Sequence, residues 1–356
     1  MAREDGRAGL VTDLEVGEVD AESSSPTPEP APLYGGPRLQ PAHFEPTHVP
    51  IEVARYGTES YTLPVGSPGK VGILELGFAL RGRGDAQRTE LVHHYQKAPL
   101  QIMKPLYYNT LRPDMPYTYL ITTGGGILHN DRQRMDLTFG EGTSAFITTQ
   151  AHTKVYRMVS GYATSIVNID VAEGAYVEYL PDPLIPYVDS RFYQQLTARV
   201  HPDATLLVGE TVYAGRLTRG ERYAFSAYAS DLDVRRPDDQ GGEPVAIDRV
   251  RLVPRDGRVG GDAVLGGRDI VASLYVVTPL QPAARVAEVL HDAVGAVVAA
   301  SGDAAARFGV SVLPGDTGAW LRYAGDDTVV SLRVQTAAAA AMHELLTGRP
   351  APLIRK

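Results

Sequence analysis

Between Val71 and about Leu280 the chain reads as short runs in which apolar and polar residues alternate, interrupted by turn residues every eight to twelve positions. Alternation with a period of two marks a strand with one face buried. The runs are Val71 to Leu80, Thr89 to Tyr95, Gln101 to Met103, Tyr117 to Thr123, Ser165 to Val171, Ala175 to Leu180, Gln194 to Val200, Thr205 to Tyr213, Tyr223 to Asp231, Asp233 to Arg235, Val245 to Leu252 and Ile270 to Val277. Gly82 to Asp85, Arg236 to Pro244 and Arg255 to Arg268 read as surface breaks and loops. The pattern predicts a mainly β fold of stacked antiparallel sheets. No motif recurs at a fixed period, so a propeller or solenoid is not indicated.

The densest stretch runs from Tyr119 to Met158. A β-branched and aromatic run meets Gly124, Gly125 and Gly126, where the backbone is free to take positive φ or to approach another segment closely. A polar tip, His129-Asn130-Asp131-Arg132, precedes Met135, Leu137 and Phe139, which alternate with Arg134, Asp136 and Thr138. Gly140-Glu141-Gly142 then predicts a turn back into a returning strand, Ser144 to Gln150, so the stretch reads as a hairpin with a charged tip.

Near the C-terminus the period changes. Val286, Val289, Leu290, Ala293, Val294, Val297 and Val298 fall at helical spacing between Pro282 and Gly302. A second helix is expected from Thr336, a fitting N-cap, through five alanines to Leu346, with Gly348 as its stop. Strands are expected between the helices, around Ser311 and at Val329 to Val334.

Residues 1–70 hold ten of the 26 prolines and eleven acidic against five basic side chains. So little apolar surface does not offset the entropy of ordering, and residues 1–50 read as a disordered, acidic, Pro-rich extension ahead of a β-rich domain over 51–356, with the fold starting near Lys70. The absence of cysteine rules out disulfides, thiolate metal sites and cysteine nucleophiles. It fits a cytoplasmic protein, as does an acidic start without the basic and apolar parts of a signal peptide. A formal charge of -8 argues against nucleic-acid binding, and no apolar run approaches membrane-spanning length.

The candidate chemistry is carboxylate-rich. The glycine triplet lacks the Lys-Ser/Thr of a phosphate loop and opens no helix, which speaks against nucleotide binding. His129, Asp131 and Asp136 offer the nitrogen and oxygen ligands that suit divalent first-row metals. His343-Glu344 lacks a second helical histidine, and His93 and His94 point to opposite faces of a strand. Glu178, Asp182, Glu210, Glu221 and Asp248 could supply the acid/base pair of an all-β hydrolase. No G-x-S-x-G elbow is present. Leu180 to Tyr187, apolar and proline-stiffened, fits either a docking surface or a core crossover.

The order of five motifs narrows this further. Gly124 to Arg132, the Thr-Thr-Gln-Ala-x-Thr-Lys-Val-Tyr-Arg string from Thr148 to Arg157, Glu178 to Pro186, Gly215-Arg216 followed by Gly220-Glu221, and Leu345 to Pro352 together resemble the urease accessory protein family UreD, also called UreH. The resemblance spans about Val71 to Lys356. It implies a layered, β-helix-like fold with two helices in the C-terminal half, and a non-catalytic scaffold that binds apo-urease. With UreF, and with the GTPase UreG through UreF, that scaffold would support nickel insertion. It also implies an internal polar channel for nickel, no tightly bound cofactor, and Asp131, Glu210, Arg216 and Asp248 along the route, with Glu178 and Glu221 as further candidates. His129 stands where the family usually has glycine, and would give at most a weak, transient nickel contact.

Overall fold

The computed structural model describes residues 41–57, 70–237, 242–257, 259–262 and 264–354. Most of the extension expected over residues 1–50 therefore lies outside the described residues. The fold takes in chain ahead of Lys70: a 3-10 turn (Pro41–Phe44) and a short helix, α1 (Ile51–Ala54), bury Phe44 and Val53. Glu45 accepts from Arg132 Nε at 2.8 Å, and the His43 carbonyl accepts from Arg134 at 3.0 Å.

In chain order the strands are β1 (Val71–Arg81), β2 (Arg88–Lys97), β3 (Leu100–Gln101), β4 (Tyr117–Thr122), β5 (Arg132–Phe139), β6 (Ser144–Thr149), β7 (Thr153–Val155), β8 (Ala163–Val171), β9 (Tyr176–Tyr179), β10 (Leu184–Pro186), β11 (Arg191–Val200), β12 (Thr205–Tyr213), β13 (Ala227–Arg235), β14 (Pro244–Leu252), β15 (Ile270–Val277), β16 (Arg307–Val312) and β17 (Gly318–Gly325). They form two sheets. One is seven-stranded, ordered β14-β13-β11-β8-β5-β1-β2; the other is ten-stranded, with β16-β17-β15-β12-β9-β6-β4-β3 as its main path.

The chain coils between the sheets. β5, β8, β11 and β13 pair in parallel in the first, while β4, β6, β9 and β12 pair in parallel in the second. The β-helix-like layering implied by the resemblance is present, and three expectations are corrected: the central sheets are parallel, the strands coil as a solenoid although no repeat marks it, and Tyr119 to Met158 is not a hairpin, since β5 and β6 lie in different sheets. Alternation reports which faces are buried, and a solenoid coil and a hairpin bury them alike. The corners repeat: Thr143 N donates to Gly140 O, Ala175 N to Ala172 O and Ala204 N to His201 O. They also stack, with Ala172 N on Phe139 O and His201 N on Val171 O, both at 2.9 Å. At the first corner Gly142 takes φ +64°, a conformation that costs a residue with a side chain strain. Arg132 pairs with Thr164, Phe192 with Ala163 and Ala227 with Arg191, so successive coils differ in length and leave no fixed period to find.

Between the sheets lies the main core, where rows such as Leu137, Ile169, Ala198 and Val234 face Ile147, Val177 and Leu206. The outer face of the ten-stranded sheet is covered by α2 (Ala283–Ser301) and α3 (Thr328–Thr347), which bury Val286, Leu290, Val294, Val334 and Met342. Pro282 and Gly302 bound α2 as expected. α3 begins earlier than expected, and Val329 to Val334 is helix rather than strand. The Asp327 carboxylate caps it by accepting from Val329 N at 2.7 Å and Val330 N at 3.0 Å, and Val330, Val334, Ala338 and Met342 then share a buried face. β17 was not anticipated, although Ala319, Leu321 and Tyr323 alternate as buried residues along it. Among the described residues no helix is long and apolar enough to cross a membrane.

Loss of the Asp327 cap is expected to cost about 1 kcal/mol. Denaturant unfolding of Asp327→Ala checks it; an unchanged midpoint and slope would remove Asp327 from the account of where α3 starts.

Candidate functional site

Because the parallel strands share a register, one polar position on each strand becomes a row. On the inner face of the seven-stranded sheet Gln133 (β5) is level with Ser165 (β8), Ser165 with Gln194 (β11), and Gln194 with Ser230 (β13). Gln133, Ser165 and Ser230 are buried. Across the gap, Glu210 (β12), Ser273 (β15) and Arg322 (β17) stand at one level of the ten-stranded sheet. The two rows meet: Glu210 Oε1 accepts from Gln194 Nε2 and from Tyr228 OH, each at 2.6 Å, and Gln194 Nε2 also reaches Ser230 Oγ at 3.3 Å.

Glu210 borders three cavities. One, of about 90 Å³, lies between the sheets along the Gln133, Ser165, Gln194 and Ser230 row. A second, of about 310 Å³, continues toward Tyr228, Ser273, Arg249 and Arg322. The third, of about 840 Å³, separates the ten-stranded sheet from α3 and is lined also by Glu178, His343 and Leu353. Glu210 is half-buried, and all three cavities share it as a lining residue. Burial raises its pKa above the ordinary value; the Ser230 and Tyr228 hydroxyls oppose that shift, the charge of Asp248 adds to it and Arg322 reduces it.

Asp248 (β14) is level with Leu232, two positions along from the Ser230 partner Val250, and lines none of the three cavities, but it reaches Arg322 of the opposite sheet. Its Oδ2 accepts from Tyr275 OH at 2.6 Å and pairs with Arg322, whose guanidinium is also 3.3 Å from Tyr275 OH. The Trp320 ring stacks on Tyr275 at 5.9 Å, and the Arg322 guanidinium lies 5.2 Å from the same indole. Burial pushes the Tyr275 hydroxyl above its usual range, with the Asp248 charge acting in the same direction.

The other expected residues are placed elsewhere. Glu178 faces α3, where its Oε1 lies 2.6 Å from His343 Nδ1 and accepts from Tyr176 OH at 2.7 Å. Asp131 is buried, but its carboxylate accepts from the backbone of Lys70 at 2.7 Å and of Leu128 at 2.9 Å, and it lines none of the three cavities. Asp136 is held by Arg134 and Asn168, each at 2.7 Å, so it does not join Asp131 and His129 in one metal site. Arg216 and Glu221 form a partly exposed ion pair, with Arg216 Nε 2.8 Å from Glu221 and the guanidinium over the Tyr187 ring at 4.1 Å. The pair lowers the Glu221 pKa and lines none of these cavities, which separates Glu221 from Glu210 as an acid/base pair. His93 bonds Glu75 and His94 bonds Gln96, on opposite faces as expected. Leu180 to Tyr187 is the crossover: Leu184 is buried and β10 pairs with β7 and β12. Among the described residues no three His, Cys, Asp or Glu side chains group as a metal site.

Single-sequence reading missed Gln133, Ser165, Gln194 and Ser230. Each is an inward polar residue of a strand whose next inward positions are apolar, a signal that becomes visible only once the strands are set in parallel register.

A raised folded-state pKa means that folding favours protonated Glu210. Its contribution to stability is complete below the unfolded value, 4.5, and is lost as the pH climbs through the raised folded value. Glu210→Gln is therefore expected to gain stability relative to the parent as the pH rises from 4.5 through the raised folded value, and to keep that gain above it. Parallel stability profiles for the two proteins would show that burial does not shift this carboxyl.

The sequence profile described as UreD urease accessory protein matches residues 70–356. Urease accessory protein UreD 2 of Streptomyces griseus is 50% identical over 297 residues, covering 83% of this chain and 97% of that protein. UreD 3 of Methylorubrum populi is 37% identical over 305 residues, covering 85% and 94%. UreD of Haloarcula marismortui is 35% identical over 303 residues, covering 85% and 96%.

Proposed function

Because the chain belongs to the UreD family of urease accessory proteins, we propose that it is a non-catalytic scaffold of urease maturation that passes nickel along the polar row between its sheets. Its partners are apo-urease, UreF and, through UreF, the GTPase UreG. It works in the cytoplasm, and nickel is cargo rather than a resident cofactor.

The observation that carries this reading is Glu210, a carboxyl common to three cavities and ringed by neutral donors. Burial makes the ionised form of Glu210 costlier than in water, so its pKa is raised. An arriving dication would compensate the charge of the ionised carboxylate and offset that cost. Gln133, Ser165 and Ser230 supply side-chain oxygens for a partly dehydrated ion, and no grouping of three strong ligands among the described residues would hold it. Arg322 neutralises Asp248, which keeps two carboxylates from trapping the cation together. Glu178 guards the cavity under α3. Asp131 and the Arg216–Glu221 pair support the chain around the route.

Co-expression with urease subunits, UreF and UreG tests the proposal. Glu210→Gln and Asp248→Asn are expected to co-purify with the partners yet leave urease nickel-poor, with activation down roughly tenfold or more, the scale on which loss of a metal-orienting group acts. Full activation by both variants would exclude this route. Asp131→Ala, in contrast, is expected to lower stability by about 1–3 kcal/mol by leaving two backbone donors without their acceptor, and unfolding midpoints check that.

A further inference from the structure

Asp182 takes no part in the interior row, yet it stands at a junction. Like Glu210, it lines both the 90 Å³ cavity between the sheets and the 840 Å³ cavity under α3. The pairing of β10 with β12 explains the coincidence: Leu184 is level with Val212, and Asp182 and Glu210 each come two positions before that pair. The Asp182 backbone N–H donates to Thr149 Oγ1 at 2.8 Å, which fixes the chain there. His152 lines the same 840 Å³ cavity and is exposed. The chain carries it alongside Asp182, since the following residue, Thr153, donates its N–H at 3.1 Å to the carbonyl of Pro183, the residue after Asp182. The Tyr213 ring lies 5.9 Å from the imidazole, and its hydroxyl, pushed up chiefly by burial, is pushed up further by the Asp182 charge. An exposed imidazole and a half-buried carboxylate thus converge where the cavity under α3 meets the interior.

We propose that His152 and Asp182 together hold a divalent first-row transition cation at the mouth of the cavity under α3, ahead of Glu210. The proposal rests on the transit reading above and adds an entry contact to it. Carboxylate oxygens take magnesium or calcium as well as nickel, whereas an imidazole nitrogen favours nickel, copper and zinc, so this pair selects where Glu210 and its neutral neighbours do not. Exposure of the ring leaves room for water to complete the shell. Two protein ligands then hold the ion loosely enough to release it, and Asp182, which borders both cavities, is placed to pass it inward.

The test uses the full-length chain, without an affinity tag and labelled with ¹³C at the histidine Cε1 position, titrated with Ni²⁺ or with Mg²⁺. His291 is the internal control: it is exposed on α2, with Asp292 Oδ1 3.7 Å from its Nδ1, and lines none of the three cavities. The His152 signal, identified by its loss in His152→Gln, is expected to broaden with paramagnetic Ni²⁺ at a concentration about tenfold or more below the one that broadens His291, and to stay unchanged with Mg²⁺. In Asp182→Asn, checked for folding by its unfolding midpoint, that difference should disappear while His291 responds as before. Broadening of both signals together in the parent would overturn the site, as would a preference for His152 that survives Asp182→Asn or an equal response to Mg²⁺. Urease activation by Glu210→Gln is read alongside. Nickel-poor urease in that variant, with no preference for His152 in the titration, removes the entry contact and leaves the transit reading standing; full activation with His152 still preferred removes the route and leaves the binding site.

Discussion

Four parallel strands, β5, β8, β11 and β13, keep a common register, and that register decides which side chains face each other across the interior. A slip of one residue on any of them would turn its whole inward set outward. The apolar rows containing Leu137, Ile169, Ala198 and Val234 hold the register, because each buried aliphatic side chain contributes roughly 1.5–3 kcal/mol only when it faces the core. The polar row of Gln133, Ser165, Gln194 and Ser230 is carried along by that packing. Within it Gln133 Nε2 has no hydrogen-bond partner among the described residues.

The charged groups on the opposite sheet divide the electrostatic work. Asp248 has a guanidinium and a phenol on one oxygen. Glu210 has only neutral donors and feels Arg322 at a distance, and burial is the largest influence on it. Two carboxylates of the same chemistry thereby stand in different surroundings, one beside a guanidinium and one among neutral donors. Arg216 and Glu221 show the contrasting case. Their pairing is close but partly exposed, where solvent screening leaves an ion pair little net effect beyond orienting the loop after β12.

Much of the element inventory was legible in the sequence, because alternation and helical spacing report burial directly. Thr205 to Tyr213 and Ile270 to Val277 were read with their observed bounds, and Pro282 and Gly302 bracketed α2. Connectivity was not legible: nothing in Met135, Leu137 and Phe139 says whether the next strand lies beside them or opposite. The same limit hid the site. Glu210 and Asp248 stood out as acids and came from the family resemblance, but the amide and hydroxyl row is made by register alone. Val329 to Val334 was misread because β-branched residues favour strands locally, while the Asp327 cap and the packing against the sheet override that preference. His343 was set aside for want of a second histidine on its helix; its partner proved to be a carboxylate on a strand 165 positions away.

Trp320 gives the molecule an optical property that follows from its place in the row. It is the single tryptophan of the chain, and it lies flat against Tyr275 with the Arg322 guanidinium close to its ring. Indole emission responds to the polarity and charge of its immediate surroundings. The natural fluorescence of the unlabelled protein therefore originates beside Asp248, and a change of charge at that end of the interior would register as a shift in colour or intensity without any attached dye.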